Sequence, residues 1–257
     1  MSSSRFEDKT VFVTGSGRGF GAVLARAFAR EGAHLVVHYH TSGAGAQETA
    51  AAVRELGRRA LTVQGDIASL ADVRRMTEEA LAEFGQVDVL VNNVGDMAID
   101  QRSWREFDEK VITHTLDVDV KGTMYMIHEV GQTMMERPGG SIVNIGSQVV
   151  IAGSPRAPQY AAAKYALIGL TKSYARAFAP NVRVNTLGAA FMETEALRNR
   201  HDWKTGRREE VLRQTPLGRI AQPEDMVGPT LFLASAESGF VTGQYLLCNG
   251  GLAMVGA

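Results

Sequence analysis

Short apolar runs rich in β-branched residues alternate along the chain with longer segments of helical period. Lys9-Thr-Val-Phe-Val-Thr14 is the first such run, and the 22–31 segment behind it sets Val23, Leu24, Ala27 and Phe28 on one helical face. The same alternation predicts strands near 10–14, 34–39, 60–64, 88–92, 141–145, 182–187 and 244–248. Helices are predicted near 19–31, 46–57, 70–84, 104–120, 122–136, 158–179 and 223–235. Strands separated by helices need crossover connections, so the expected fold class is α/β, a Rossmann-type doubly wound parallel sheet of about seven strands with helices on both faces. The stretch 191–215 breaks the alternation, being charged, helix-prone and longer than a simple connection. It is expected to lie as an insertion over the carboxyl ends of the strands, where such sheets bind ligands.

Composition narrows the picture. At 257 residues and 45% hydrophobic, the chain can bury a large core. Its 27 basic residues balance 28 acidic ones, so nothing favours nucleic acid or a membrane surface. One cysteine, Cys248, suits a reducing compartment. Residues 1–8 lack an apolar signal core, and no apolar run approaches membrane-span length, which predicts a cytoplasmic protein. His34, His38 and His40 alternate on one strand without Cys or further His at ligand spacing, so no metal site is expected. Gly146-Ser-Gln-Val lacks the elbow of a serine hydrolase.

Candidate chemistry sits in two places. Tyr160 and Lys164 lie four residues apart on a predicted helix, hence on one face, and Ser147 follows the β-like run 141–145. A hydroxyl, a phenol and an ammonium can then converge on one carbonyl or alcohol oxygen, the cation favouring the phenolate and so proton transfer. A lone Tyr/Lys pair of this spacing is usually a surface pair; the rest of the chain decides. Gly15-Ser-Gly-Arg-Gly-Phe-Gly21 follows the first strand and opens the first helix. Free N–H groups and the helix dipole there form a cradle for a pyrophosphate, and glycines let the backbone come close. Gly15, Gly19 and Gly21 are spaced GxxxGxG, unlike the commoner GxGxxG fingerprint. With no linker or composition break, 1–257 reads as a single dinucleotide-binding and catalytic domain.

These motifs, in this order, resemble the short-chain dehydrogenase/reductase family over nearly the whole chain. Thr14 to Gly21 is similar to its TGxxxGxG, Asp66-Ile67 to its adenine-contacting pair and Asn92-Asn-Val-Gly95 to its NNAG. Ser147, Tyr160 and Lys164 match its catalytic set, and Pro216-Leu-Gly-Arg219, Pro223-Glu224, Thr242-Gly243 and Asn249-Gly-Gly251 its C-terminal signature. The closest general resemblance is to the 3-oxoacyl-carrier-protein reductase-like branch. It implies hydride transfer between a nicotinamide and a carbonyl carbon, with Tyr160 moving the proton, Ser147 stabilising the oxyanion and Lys164 acting on Tyr160 and the nicotinamide ribose. It also implies cofactor contacts from Gly15, Ser16, Gly17, Arg18, Gly19, Phe20, Gly21, Asp66, Ile67, Asn93, Val94, Gly95, Tyr160, Lys164, Ala190, Met192 and Thr194, and a homo-oligomer, tetramer or dimer, built on 104–136, 158–179 and 244–248.

Three departures from the family pattern stand out. Asp119 occupies the position of a catalytic asparagine whose backbone carbonyl holds a water; its carboxylate is expected to alter the field of Lys164, unless it is displaced or protonated. Ala189-Ala190 replaces Pro-Gly beside the nicotinamide, adding a Cβ where glycine would permit positive φ. Val94 replaces alanine. Cofactor choice follows from 37–42, which carries no carboxylate at the end of the second strand to bind a ribose 2′-hydroxyl. Arg18, His40, Thr41 and Ser42 are donors for a 2′-phosphate, so NADP(H) is the preferred cofactor and NAD(H) the alternative.

The expected activity is NADPH-dependent reduction of a ketone or 3-oxoacyl substrate. The alternatives are oxidation of a hydroxysteroid, polyol or polyketide-like alcohol, or a nucleotide-binding scaffold with weakened turnover. Pocket walls are expected from 96–99, 148–151, 155–158 and 191–215, with apolar contacts from Met192, Leu197 and Trp203. Arg198, Arg200, Lys204, Arg207, Arg208 and Arg213 make the last stretch basic. Such a run suits an acyl-thioester substrate, but the favoured expectation is a solvated helix face balanced by Glu193, Glu195, Glu209 and Glu210.

Overall fold

The computed structural model of the chain describes residues 4–96, 103–106 and 108–254. Its seven strands are β1 (Thr10–Val13), β2 (His34–Tyr39), β3 (Ala60–Gln64), β4 (Val89–Asn92), β5 (Gly140–Ser147), β6 (Val182–Ala189) and β7 (Tyr245–Cys248). All pair in parallel in the order β3-β2-β1-β4-β5-β6-β7. Successive strand residues point to opposite faces, and the chain uses both. Val11, Val13, Leu35, Val37, Val89 and Val91 enter one buried cluster, while Phe12, Val36 and Leu90 enter the other. That two-sided burial explains why these strands are continuous apolar runs.

The helices are α1 (Gly19–Arg30), α2 (Gly43–Glu55), α3 (Leu70–Phe84), α4 (Glu109–Leu116), α5 (Thr123–Met134), α6 (Val149–Ala152), α7 (Pro158–Phe178), α8 (Glu195–Asn199), α9 (Arg208–Gln214) and α10 (Val227–Ala234). Among the described residues no helix is long and apolar enough to cross a membrane. Several boundaries differ from the sequence expectation. α2 begins at Gly43, earlier than 46, because its first turn (Gly-Ala-Gly) carries no large apolar side chain to mark it. The helix expected over 104–120 starts at Glu109, where the Asp108 carboxylate accepts from the Lys110 N–H at 2.8 Å. It runs through a π-helical turn, Asp117–Gly122, straight into α5. The segment 223–235 opens with a 3-10 turn, Pro223–Met226, ahead of α10.

The stretch 191–215 builds a small core of its own. Leu197, Trp203, Val211 and Ile220 are buried together, with Phe191 packed against them. The expectation that Leu197 and Trp203 offer apolar pocket contacts is therefore corrected: their side chains hold α8 and α9 together.

Candidate active site

Strand order reverses between β1 and β4, and a crevice beyond the carboxyl ends of strands forms at such a point. The loops after both strands meet there. Asn93 donates its side-chain amide to Thr14 O at 2.9 Å, and the Thr14 hydroxyl accepts from the N–H groups of Asn93 and Val94 at 2.9 and 3.1 Å. Close packing explains the glycines. A Cβ on Gly21 would lie 2.3 Å from Gly15 O, and one on Gly15 would lie 2.9 Å from the Val94 side chain. Gly19, with φ of +54°, faces open space. Arg18 precedes α1 without a side-chain cap, so the helix presents its first N–H groups outward. The loop from Ser16 to Phe20 thus fits a dinucleotide pyrophosphate.

The Gly15 N–H is already taken. It donates to His38 Nδ1 at 2.9 Å, while His38 Nε2 lies 3.0 Å from Gly65 O and Ser16 Oγ accepts from the His38 N–H at 3.0 Å. Because Nδ1 accepts, the ring proton resides on Nε2. Burial pushes the imidazole down to about 4. Sequence reading placed His38 only on a shared strand face; the alternation of His34, His38 and His40 was its one signal.

Gly65 leads into Asp66, whose N–H donates to the Asp72 carboxylate at 2.9 Å and whose own carboxylate accepts from Ala68 N at 2.9 Å. Ile67 is buried against Gly122. His40, Thr41 and Ser42 follow β2, and Ser42 lies beside the glycine loop, since a Cβ on Gly17 would lie 3.0 Å from Ser42 O.

A buried polar chain docks α7 on the sheet. Asn92 donates to Asn144 at 2.8 Å, Asn144 to the Thr171 hydroxyl at 2.9 Å, and Thr171 shares a bond of 2.7 Å with Thr186. Tyr160 and Lys164 lie upstream on that helix. The Lys164 ammonium sits 5.6 Å from the centre of the Tyr160 ring and 3.4 Å from Ile145 O, two residues before Ser147 on β5. Ser147 is the last residue of its strand; its carbonyl accepts from the Tyr245 hydroxyl at 2.7 Å. Gly95 lies close beside them, since a Cβ there would lie 2.7 Å from Lys164 Nζ.

Asp119 lies fully buried in the π-helical turn, with Oδ2 at 3.1 Å from Lys164 Nζ and Oδ1 accepting from the Asp96 N–H at 2.6 Å. It is not displaced. Its backbone carbonyl accepts from the Thr123 hydroxyl at 2.8 Å. Burial pushes the Asp119 carboxyl up against the pull of Lys164; burial also pushes Lys164 down, but Asp119 and Tyr160 outweigh it and hold the ammonium raised. The π-helical turn inserts one residue into the helix ladder, which aims Asp119 inward.

At the end of β6, Ala189 is buried and its carbonyl accepts from Gln148 N at 3.0 Å. Among the described residues, the only non-glycine with positive φ is Asp8, so Ala189-Ala190 needs no left-handed backbone and the added Cβ atoms are not strained. Met192 bridges to Ala221, and the Thr194 hydroxyl caps α8 by accepting from Leu197 N at 3.3 Å. The expected walls 97–99 lie outside the described residues. In the basic stretch Arg208 pairs with Glu193 and Arg207 with Glu210, each at 2.6 Å. Arg200 differs: it is buried on Asp202.

A parallel sheet with a glycine turn at its switch point defines the architecture of a Rossmann-type dinucleotide-binding fold. A family model described as enoyl-(acyl carrier protein) reductase matches residues 15–253. A 3-oxoacyl-[acyl-carrier-protein] reductase of Staphylococcus aureus is 32% identical, over 96% of this chain and 98% of its own. An L-rhamnose 1-dehydrogenase (NAD(P)(+)) of a Sphingomonas species is 33% identical over 96% of each chain. The crystal structure of a glucose/ribitol-type short-chain dehydrogenase/reductase from Brucella melitensis superposes with a TM-score of 0.90 at 29% identity, covering 98% of this chain and 100% of that one. The chain belongs to the short-chain dehydrogenase/reductase family, in its 3-oxoacyl-carrier-protein reductase-like branch. It is an NAD(P)-dependent oxidoreductase acting on CH–OH or C=O groups.

Proposed function

We propose that this protein is an NADPH-dependent carbonyl reductase. The observation that carries the reading is the buried Lys164 ammonium, anchored by Asp119 and set against the Tyr160 ring at the end of β5. When bound, the nicotinamide supplies the hydride. The protein's own part is to hold the carbonyl oxygen between the Ser147 hydroxyl and the Tyr160 phenol. Tyr160 gives its proton to the developing alkoxide and Ser147 donates a hydrogen bond that spreads its charge. Lys164 stabilises the phenolate left behind.

NADPH is favoured over NADH by what surrounds the glycine loop. Arg18, His40 and Thr41 are exposed there, and the N-terminal end of α2 follows directly, with no side chain capping it. Donors and a positive helix end suit a 2′-phosphate. The 191–215 segment, rising from β6 and bridged back at Met192 and Ala221, serves as the cover of the substrate site. A homo-oligomer in the cytoplasm completes the reading. Leu116, Met124 and Tyr165 are exposed on α4, α5 and α7, and Leu246 is exposed on the edge strand β7.

The sugar-dehydrogenase relative favours a second reading, oxidation of a polyol or sugar alcohol at the same site. The test follows the absorbance of NADPH against ketones and β-ketothioesters, and of NADP⁺ against sugars and polyols. Turnover of any of these, abolished in Tyr160→Phe with cofactor affinity kept, supports the reading; near-normal turnover in that variant would falsify it.

A further inference from the structure

Tyr245 reaches toward the site from β7, at the edge of the sheet. It pairs in register with Thr186, which shares a face of β6 with Gly188, and Gly188 lies directly opposite Gly146 of β5. On that face Asn144 and Thr186 bond to Thr171 of α7. The two glycines leave a slot, and the phenol ring lies in it. A Cβ on Gly188 would meet ring carbon Cε1 at 2.6 Å, and one on Gly146 would meet Cε2 at 3.3 Å. Across this slot the Tyr245 hydroxyl donates to Ser147 O at 2.7 Å.

That bond holds a strand end. The pairing of β5 with β4 stops at Asn92 and Asn144, short of Ser147. The Ser147 carbonyl and the Gln148 N–H belong to one planar peptide group. The N–H donates to Ala189 O at 3.0 Å and the carbonyl accepts from Tyr245, so both polar ends of the plane are held. The Ser147 hydroxyl accepts from Val149 N at 3.4 Å, which leaves its own proton to donate. Burial, and then the phenols of Tyr160 and Tyr165, push the Tyr245 hydroxyl well above its ordinary value of 10. It stays protonated where Tyr160 gives up its proton, and so remains a donor throughout.

We propose that Tyr245 is a positioning residue for the reaction: its hydroxyl holds the peptide group after Ser147 and so aims the Ser147 hydroxyl at the reacting oxygen. This rests on the role given to Ser147 above and holds for reduction and oxidation alike. Tyr245 acts through Ser147 rather than on the substrate. A ring that merely filled the slot would do so equally well without its oxygen.

Tyr245→Phe keeps the ring and removes only that oxygen. Acetoacetyl-CoA with NADPH and L-rhamnose with NADP⁺ serve as probes of the two directions. In the variant kcat should fall roughly tenfold while KM and NADPH affinity stay within about twofold, as for a misaimed group that acts in the transition state. The melting temperature should fall by no more than the few degrees of one lost hydrogen bond. In a Ser147→Ala background the same substitution should change the single-turnover rate by less than about twofold, because the hydroxyl it aims is gone. An unchanged kcat in Tyr245→Phe, or an equal loss in both backgrounds, overturns the proposal. Hydrogen exchange supplies a readout free of turnover. The amides of 147–149 should exchange faster in Tyr245→Phe, and those of α7 at the wild-type rate. If neither probe turns over, or Ser147→Ala is as active as the wild type, the reading of Ser147 fails separately and exchange alone decides; it decides likewise if Ser147→Ala is too slow to measure. Faster exchange confined to 147–149 supports the proposal, and equal exchange or loosening spread through α7 overturns it.

Discussion

The Gly15 N–H donates to His38 Nδ1 at 2.9 Å, joining the first glycine of the phosphate loop to the neighbouring strand. The opposite ring nitrogen lies 3.0 Å from Gly65 O, just ahead of Asp66. One neutral imidazole therefore sets the relative position of the glycine loop after β1 and the Gly65–Asp66 turn after β3. Protonating Nδ1 would oppose two N–H groups.

The acid sensitivity follows. Burial holds His38 at about 4, below its ordinary value of 6.5. A depressed value means that the folded state favours the neutral ring. Its stability is fully present above about pH 6.5 and is lost as pH falls through about 4. The loss attributable to this residue is about 3 kcal/mol. Denaturant titrations across that window should show this pH-dependent fall in the wild type and a flatter curve in His38→Gln. A parallel slope in both proteins would remove His38 from the account.

Much of this was legible in advance, and the exceptions share a cause. Alternating apolar runs located all seven strands, and Gly15, Gly19 and Gly21 announced the loop, because each of these signals is local. The π-helical turn Asp117–Gly122 left no mark, since one inserted residue shifts a helical period only slightly. Arg200 looked like part of a solvated charged face. It is buried against Asp202, whose carboxylate also lies 3.8 Å from Arg156, more than forty positions upstream, and pairing over that span is a tertiary fact. Leu197 and Trp203 looked like pocket walls for the same reason, as nothing local shows that Val211 and Ile220 cover them.

Replacing Asp119 by asparagine separates its two contacts. The amide oxygen can still accept from the Asp96 N–H, but the charge facing Lys164 at 3.1 Å disappears. The carboxylate now cancels part of the ammonium's field at the phenol. Its removal should shift the pH–rate midpoint for alcohol oxidation to lower pH, with turnover at neutral pH changed modestly or improved. Loss of all activity in a folded Asp119→Asn protein would instead show that the carboxylate itself is required.

Cofactor preference should turn on Arg18, which stands exposed at the head of α1. Arg18→Glu places a like charge against a 2′-phosphate. The NADPH-to-NADH ratio of kcat/KM should fall roughly 10–100-fold, in line with losing one charged contact and adding a repulsion. Steady-state kinetics with both cofactors measures it. A clear preference of the wild type for NADH would defeat the assignment at the outset.

Two glycine substitutions should fail in different ways. A Cβ on Gly21 meets the Gly15 carbonyl oxygen at 2.3 Å, a backbone atom that cannot retreat without reshaping the phosphate loop. Gly21→Ala should therefore lower both stability and cofactor affinity. A Cβ on Gly95 meets Lys164 Nζ at 2.7 Å, the far end of a flexible side chain, with Asp119 Oδ1 next at 3.4 Å. The ammonium can move aside, so Gly95→Ala should keep most of its stability, within about 1 kcal/mol on the scale of ordinary single substitutions. Moving the ammonium breaks its alignment on Tyr160 and Asp119, and kcat should fall at least roughly tenfold, the cost of misplacing a positioned charge. Thermal melts paired with single-turnover kinetics distinguish the two variants, and a Gly95→Ala enzyme with normal kcat would show that the observed position of Lys164 is not needed for turnover.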